Sequence, residues 1–346
     1  MMNLDPWLAQ HLACPIDRLP IRVDGCSVVC ANGHDYPVED GVPVMLREDV
    51  PQTIDFVNAS IARARHREAG DERAPQLYLE SLGISEDEKA SVVRHATRPS
   101  SIDPVVSHLV AATNGLMYRD QIGVLDRYPI PVLRLPGGNG RRFLDVGCSW
   151  GRWPIAAARK GYRVIGVDPS LGAVMAARRV ALDLGVDASF AVGDARYLPF
   201  TDGAFDTAFS YSVIQHFSKA DARQTLREIA RTLVPGGSAK IQMPSRLGVR
   251  CIYQQARRSF REPRDFEVRY WSLAELRAAF GGAFEQIRFE TDCFFGIGIQ
   301  PSDWALMSPM RKGVVVASEL LRKISGTVTP MVRTADSVYV EAVKPA

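Results

Sequence analysis

Phe143-Leu-Asp-Val-Gly-Cys-Ser-Trp-Gly-Arg-Trp153 is the stretch on which the reading of this 346-residue chain turns. Phe143, Leu144 and Val146 suit a buried parallel strand, and Gly147 and Gly151 permit a sharp turn and close backbone approach to a ligand. A helix opening at Arg152 aims its free amides at negative charge. The next apolar run, Tyr162-Arg-Val-Ile-Gly-Val-Asp168, ends in a carboxylate 21 residues beyond Gly147. Doubly wound folds place an acidic residue there for ribose hydroxyls. Together the two stretches describe a pocket for an adenosine-containing ligand.

Three chemistries compete for that turn. A dinucleotide site spaces its glycines G-x-G-x-x-G, whereas Gly147, Ser149 and Gly151 are followed here by Trp153, which argues against a pyrophosphate. Gly147-Cys-Ser-Trp-Gly151 also matches the G-x-S-x-G elbow of hydrolases. A hydrolase needs an acid and then a histidine downstream. His216 is the one histidine after Ser149, and it falls in the middle of the sheet pattern. The third chemistry is a sulfonium nucleoside, and the downstream residues favour it. Phe190-Ala-Val-Gly-Asp-Ala-Arg-Tyr-Leu-Pro-Phe200 reads as a strand ending in Asp194, and Asp202-Gly-Ala-Phe-Asp-Thr-Ala-Phe-Ser210 as a turn and a further strand. Arg227-Glu-Ile-Ala-Arg-Thr-Leu-Val-Pro-Gly-Gly237 reads as a helix end with a stop, followed by a strand from Ser238 to Met243.

These four ordered motifs, over about residues 140–245, resemble the class I S-adenosylmethionine-dependent methyltransferases of the type 11 kind. The resemblance implies an α/β, Rossmann-like sheet of seven strands, the last antiparallel. One departure is Ser149, where the family usually has the middle glycine of its loop. Carried over residue by residue, Asp145, Gly147, Ser149 and Gly151 line the methionine moiety. Asp168, with Pro169 beside it, accepts from both ribose hydroxyls. Asp194 accepts from the adenine amine while the Ala195 amide donates to the ring. Leu171 or Tyr197 covers an adenine face. Tyr118 and Arg119, in a segment before the first strand, meet the methionine carboxylate. The ordinary alternative for each aspartate is a turn or helix cap. Ser170 is the better cap for the next helix, which leaves Asp168 free to face a ligand.

The acceptor is expected outside the carboxyl ends of the strands, at Ser210-Tyr-Ser-Val-Ile-Gln-His-Phe217, with Ser210 at the cofactor. A base is needed only for a hydroxyl, phenol or carbon acid, and His216 is the histidine placed to serve; its alternative role is a pocket wall or cap.

Residues 11–46 read as a small β module of short runs around proline and glycine. Cys14, Asp17, Cys30 and His34 are spaced x2, x12 and x3. The module looks like the zinc-ribbon activator subunit of certain methyltransferases, and like the ribbon that opens some rRNA guanine methyltransferases. Asp17 departs from the cysteine pattern, Cys26 is an alternative ligand, and a ribbon held by its apolar strands alone stands as the rival. The expected organisation is a zinc-ribbon-like module at 1–48, a helical linker or lid at 49–125, and a methyltransferase domain at 126–346. Lid insertions fall at about 244–270 and 293–334. Within the first lies an apolar stripe, Val249, Ile252, Tyr253, Ala256 and Phe260, with arginines around it. Ser272 to Glu275 forms a capping box, and strands near 286–290 and 337–343 should pair.

A net charge of +3 is too small to imply nucleic acid. Six scattered cysteines fit a reducing compartment better than a disulfide framework. No apolar run suits a signal peptide or a membrane span, so the cytoplasm is the expected location. The reading is therefore methyl transfer from S-adenosylmethionine to a small-molecule, glycan or lipid-linked acceptor, at oxygen, with structural zinc as a candidate second group. Its rivals are an rRNA or tRNA methyltransferase that uses the ribbon and the arginines, and a non-catalytic cofactor-binding partner protein.

Overall fold

The computed structural model describes residues 4–65, 78–97, 102–113, 123, 125–296 and 301–346. The chain divides into two compact units, 1–204 and 205–346.

The first unit opens with α1 (Pro6–His11), whose first turn is capped by the Asp5 carboxylate accepting from the Trp7 amide at 2.9 Å. An antiparallel meander follows: β1 (Ile21–Asp24), β2 (Ser27–Cys30), β3 (Asp35–Glu39) and β4 (Val42–Met45). Helices α2 (Phe56–Arg65), α3 (Glu86–Ala96) and α4 (Pro104–Thr113) come next. The α3 helix starts on a capping box in which Ser85 and Glu88 satisfy each other's amides. The α/β part runs β5 (Arg142–Val146), α5 (Arg152–Ala158), β6 (Arg163–Asp168), α6 (Leu171–Asp183) and β7 (Ala188–Gly193). Strands β5, β6 and β7 are parallel, in the order β7-β6-β5. Their apolar runs are buried from both faces, as parallel strands under helices require.

The meander does not stand apart from this sheet. Its last strand adds to β7 in parallel, with Val44 opposite Val192 and Met45 opposite Gly193. Val42, Val44 and Leu46 then join Val57, Tyr78, Val174, Phe190 and the α6 alanines in one buried cluster. This shared core supplies what so short a module lacks by itself.

The second unit runs β8 (Phe205–Ser210), α7 (Lys219–Thr232), β9 (Leu233–Pro244), α8 (Val249–Arg257), α9 (Leu273–Phe280), β10 (Glu285–Cys293), α10 (Pro309–Ser325) and β11 (Ser337–Val343). Its strand order is β8-β9-β11-β10, with β9 parallel to β8 and β11 antiparallel to both neighbours. The expected pairing of β10 with β11 is present, as is the Ser272–Glu275 capping box. Strand β9 is longer than expected and runs through Pro-Gly-Gly. Pro-Gly-Gly makes a bulge within the strand, with Gly236 left-handed at φ 75, and backbone bonds from Gly236 to Lys344 at 3.0 Å and from Lys344 to Gly237 at 2.8 Å fasten it to the residue that follows β11. Among the described residues no helix is long and apolar enough to cross a membrane.

Candidate active site

Three carboxylates stand at the carboxyl ends of three adjacent parallel strands: Asp145 on β5, Asp168 on β6 and Asp194 just after β7. They owe that placement to register, since Asp145 is opposite Gly166 and Asp168 opposite Val192. The loop after β5 is held in left-handed geometry at Gly147 (φ 83), Ser149 (φ 46) and Gly151 (φ 86). Gly151 is also constrained by space, because a Cβ there would lie 2.9 Å from the Ala177 Cβ. The Gly147 and Cys148 amides donate to the Val167 carbonyl at 2.8 and 3.0 Å, fastening the loop to the end of β6.

Asp168 is half-buried, and each of its oxygens accepts one loop amide: Oδ2 from Ser149 at 2.9 Å and Oδ1 from Ser170 at 3.0 Å. Ser170 also caps α6, its side chain accepting from the Ala173 amide. An ionised carboxyl has further lone pairs, so Asp168 can take two more donors from outside the chain. Burial raises its pKa to about 6, with the Ser170 and Ser149 amides pulling the other way.

Asp145 is wholly buried, and neither of its oxygens has a hydrogen-bond partner among the described residues. Burial, and then the neighbouring Asp168 charge, push its pKa well above the carboxylate range. A buried carboxyl without a donor is costly and marks a position for a missing partner, above all a cation.

Asp194 is different. Its carboxylate caps a short turn by accepting the Arg196 amide at 2.8 Å, and the Arg196 guanidinium grips it at 2.7 Å, both side chains being buried. Arg196 also donates to the Pro51 carbonyl at 2.9 Å. Both oxygens thus already carry bonds within the chain. Ala195 is buried, Pro169 half-buried, and Tyr197 has Arg47 over its ring at 4.4 Å. Leu171 lies in the common core cluster with Val44 and Val174. Tyr118 and Arg119 lie outside the described residues.

Cys14, Asp17, Cys30 and His34 come together, one donor atom from each lying within 4.8 Å of all the others. The two turns that present them are tight. The Arg18 amide donates to the Cys14 carbonyl with Arg18 at φ 64, and the Gly33 amide donates to Cys30 with Gly33 at φ 82. The Cys30 Sγ is 3.3 Å from His34 Nδ1 and 3.4 Å from Asp17 Oδ2, and those two are 3.1 Å apart. The edges of a tetrahedron around zinc with S, N and O ligands are about 3.3–3.8 Å, so the four donors are spaced for one small cation. Cys26 is exposed and is not part of this cluster.

In the second unit, Ser210 ends β8 and is buried. His216 Nδ1 is 2.6 Å from the Phe266 carbonyl, which can only accept, so this nitrogen carries the proton. Its Nε2 faces Gln215 Nε2 at 3.2 Å, and the ring stacks on Phe266 with centroids 3.9 Å apart. Burial, and beyond it the Arg269 charge, lower the His216 pKa, against the contrary pull of the Phe266 bond. Phe266 also lines an open cleft of about 520 Å³ with Gln254, Arg257, Arg258 and Tyr270.

Two features of the sites escaped the motif reading. One is the Arg196 clamp on Asp194, for which an arginine two residues after the aspartate was the only signal. The other is a buried polar chain behind β8: Ser212 N to Gln242 at 2.7 Å, Gln242 to Ser337 at 2.6 Å, and Ser337 and Tyr211 to Asp292 at 2.9 and 3.0 Å. Its members are scattered over four elements.

Comparison with known proteins fits this arrangement. Residues 143–237 match a methyltransferase domain family. The chain is 34% identical over 146 residues to methyltransferase GfsG of Streptomyces halstedii, covering 41% of this chain and 46% of that protein. It is 33% identical over 104 residues to norajmaline N-methyltransferase of Rauvolfia serpentina, covering 29% and 35% respectively. The chain thus spans less than half the length of these curated relatives. A solved complex between the Haloferax volcanii Trm112 methyltransferase activator and the putative methyltransferase contains a chain 26% identical to this one. The alignment covers 62% of this chain and 86% of that one, with a TM-score of 0.43. Residues 143–237 are an S-adenosylmethionine-dependent methyltransferase domain.

Proposed function

We propose that the chain transfers a methyl group from S-adenosylmethionine to an oxygen of a small-molecule, glycan or lipid-linked acceptor. The observation that carries this is the fully buried Asp145, without a hydrogen-bond partner among the described residues, beside an Asp168 that two loop amides hold in place. Such a pair fits a nucleoside bearing both hydroxyls and positive charge. The sulfonium supplies an already activated methyl group. Asp168 binds and orients the ribose, Asp145 is the counter-charge to the methionine portion, and the Ser149 loop forms the wall between them. Asp194 would take the adenine amine only by sharing an oxygen that Arg196 already holds. On the acceptor side, Nδ1 of His216 donates its proton to the Phe266 carbonyl, so Nε2 is the basic nitrogen; it accepts from the Gln215 side-chain amide at 3.2 Å, a bond that an acceptor hydroxyl would replace. Rate then comes mostly from positioning, with His216 removing the hydroxyl proton. Labelled methyl transfer into fractionated extracts tests the reading. Label incorporated into small metabolites or lipids at a rate unchanged as salt rises supports it. Label in RNA with steep salt dependence, label on nitrogen alone, or no turnover by the purified chain each overturns it.

The cysteine cluster is assigned in the same proposal to a structural zinc, held by Cys14, Asp17, Cys30 and His34. Elemental analysis should find about one zinc per chain. Cys30→Ser should lose it and lower the melting temperature by at least about 5 °C, the effect of roughly 2 kcal/mol in a unit of this size. A metal-free chain with unchanged melting would remove the assignment.

Ser149 offers a separate check. Its left-handed backbone (φ 46) costs a side-chain-bearing residue roughly 1 kcal/mol that glycine does not incur. Ser149→Gly should therefore melt at the same temperature or slightly higher and bind cofactor unchanged. A serine nucleophile would instead lose all activity.

A further inference from the structure

Two helices of the second unit are amphipathic in the wrong sense for a protein surface. Helix α10 buries Val315, Ser318 and Ser325, and both serines turn inward to hydrogen-bond. Ser318 accepts from the Phe294 amide at 2.9 Å, and Ser325 donates to Thr291 at 2.8 Å. Its outer face carries Met310, Val316, Leu320 and Ile324, continued by Val328, at helical spacing; Met310 is 77% and Leu320 59% exposed. Helix α8 repeats the inversion. It buries Cys251 and Gln255, while Val249, Ile252 and Tyr253 on the helix, with flanking Leu247 and Phe260, face outward. The aliphatic stripe that the sequence shows in this segment therefore points away from the core.

Both helices are tied to the same end of the strands. Asp336, immediately before β11, accepts the Arg250 and Cys251 amides of α8 at 2.7 and 3.1 Å. Its other oxygen accepts the Phe295 amide, next to the Phe294 that bonds α10. Around the α8 face, Arg246, Arg250 and Arg257 are exposed and have no carboxylate within ion-pair distance among the described residues. From 246 to 261 the sequence has five arginines and no acid. On α10, Lys323 is exposed beside Ile324, and Lys312 sits over the partly exposed Trp304 ring at 5.4 Å.

We infer that α8 and α10 form a docking surface for an anionic lipid bilayer, with the aliphatic stripes entering the headgroup boundary and the arginines meeting lipid phosphates. Exposed aliphatic stripes interleaved with uncompensated cations are the pattern of interfacial helices. The same cations would suit RNA, but a nucleic acid gives nothing back for exposed Met310, Val316, Leu320 and Ile324. A second copy of this chain would bring more arginines to arginines. For the proposed transferase, docking presents lipid-borne acceptors to this unit. That corollary rests on the reading above, whereas membrane binding itself needs neither cofactor nor turnover.

The test is co-sedimentation of the full chain with vesicles of phosphatidylcholine alone and of phosphatidylcholine mixed with phosphatidylglycerol. Binding should require the anionic lipid and weaken with salt. Arg246→Gln with Arg250→Gln should weaken it about 25-fold, about fivefold for each cation near the surface. Ile252→Glu with Leu320→Glu should weaken it at least about tenfold by removing the inserted faces. All four positions are exposed, so melting temperature and cofactor affinity should stay at wild-type values and certify the fold. Three outcomes overturn the inference. These are no binding to anionic vesicles, RNA binding that outcompetes vesicles and is indifferent to the glutamate pair, and a dimer that the glutamate pair dissociates without any vesicle binding.

Discussion

Asp168→Ala should abolish measurable S-adenosylmethionine binding while leaving the chain folded. In the proposed complex the carboxylate accepts two ribose hydroxyls, and hydrogen bonds to a charged group contribute about 1.5–3 kcal/mol each. Losing both weakens affinity by roughly a hundredfold to ten-thousandfold. The variant also strands the Ser149 and Ser170 amides, so some loosening of the loop is expected. Asp168→Asn serves as the control, since it keeps an acceptor for one amide but no charge for the sugar, and it should lose affinity nearly as far. Wild-type affinity should itself depend on pH in a set direction. The pKa of the free chain's carboxyl is raised to about 6 by burial, so below that value it is protonated and a poorer acceptor. Affinity should fall as pH drops through 6. The stability of the free chain carries the opposite sign. This residue's contribution is fully present below the unfolded value near 3.8 and is lost as pH rises through 6. Calorimetry across pH 5 to 8 reads both effects, and affinity unchanged by either variant would count against the assignment of Asp168.

His216→Ala should lower kcat by about 10²–10⁴ with cofactor affinity unchanged, the usual loss when a positioned base is removed from a hydroxyl acceptor. The geometry sets the expected pH profile. Burial and the Arg269 charge lower the pKa, so the imidazole stays neutral below its ordinary titration range and the rate should hold at mildly acid pH before falling. A purely structural role makes different demands. His216 stacks on Phe266 and bonds its carbonyl, so a structural residue would shift melting temperature and KM. Rescue of kcat by added imidazole separates the two, because free imidazole restores a base and not a stacking contact. Full kcat in the variant would remove His216 from the chemistry.

Much of the strand-end and turn geometry could be read from local pattern. Strand tips at Asp145, Asp168 and Asp194, the Ser170 cap and the turn at Gly147 and Gly151 each follow from two or three neighbouring residues, and local chemistry fixes them. What the pattern could not supply was tertiary. Nothing near Val44 says that it will pair with Val192, because two short strands about 150 residues apart meet only when the sheet closes on them. Asp194 reads identically whether it faces a ligand or is clamped by Arg196, since both roles use a carboxylate at a strand end. The stripe on α8 has the right period but the opposite orientation, because periodicity marks a face without saying which way it turns. Asp292 is invisible in sequence for a related reason: its partners are Tyr211, just after β8, and Ser337 of β11.

The central claim is that carboxylates on neighbouring parallel strands hold the sugar and the charged end of a sulfonium nucleoside. A crystal structure of the chain with S-adenosylhomocysteine addresses it directly. The account predicts both ribose hydroxyls on the Asp168 oxygens at about 2.5–2.7 Å, with the amino group of the amino-acid end against Asp145. A nucleoside bound elsewhere, or Asp145 still without a partner in the complex, would contradict it.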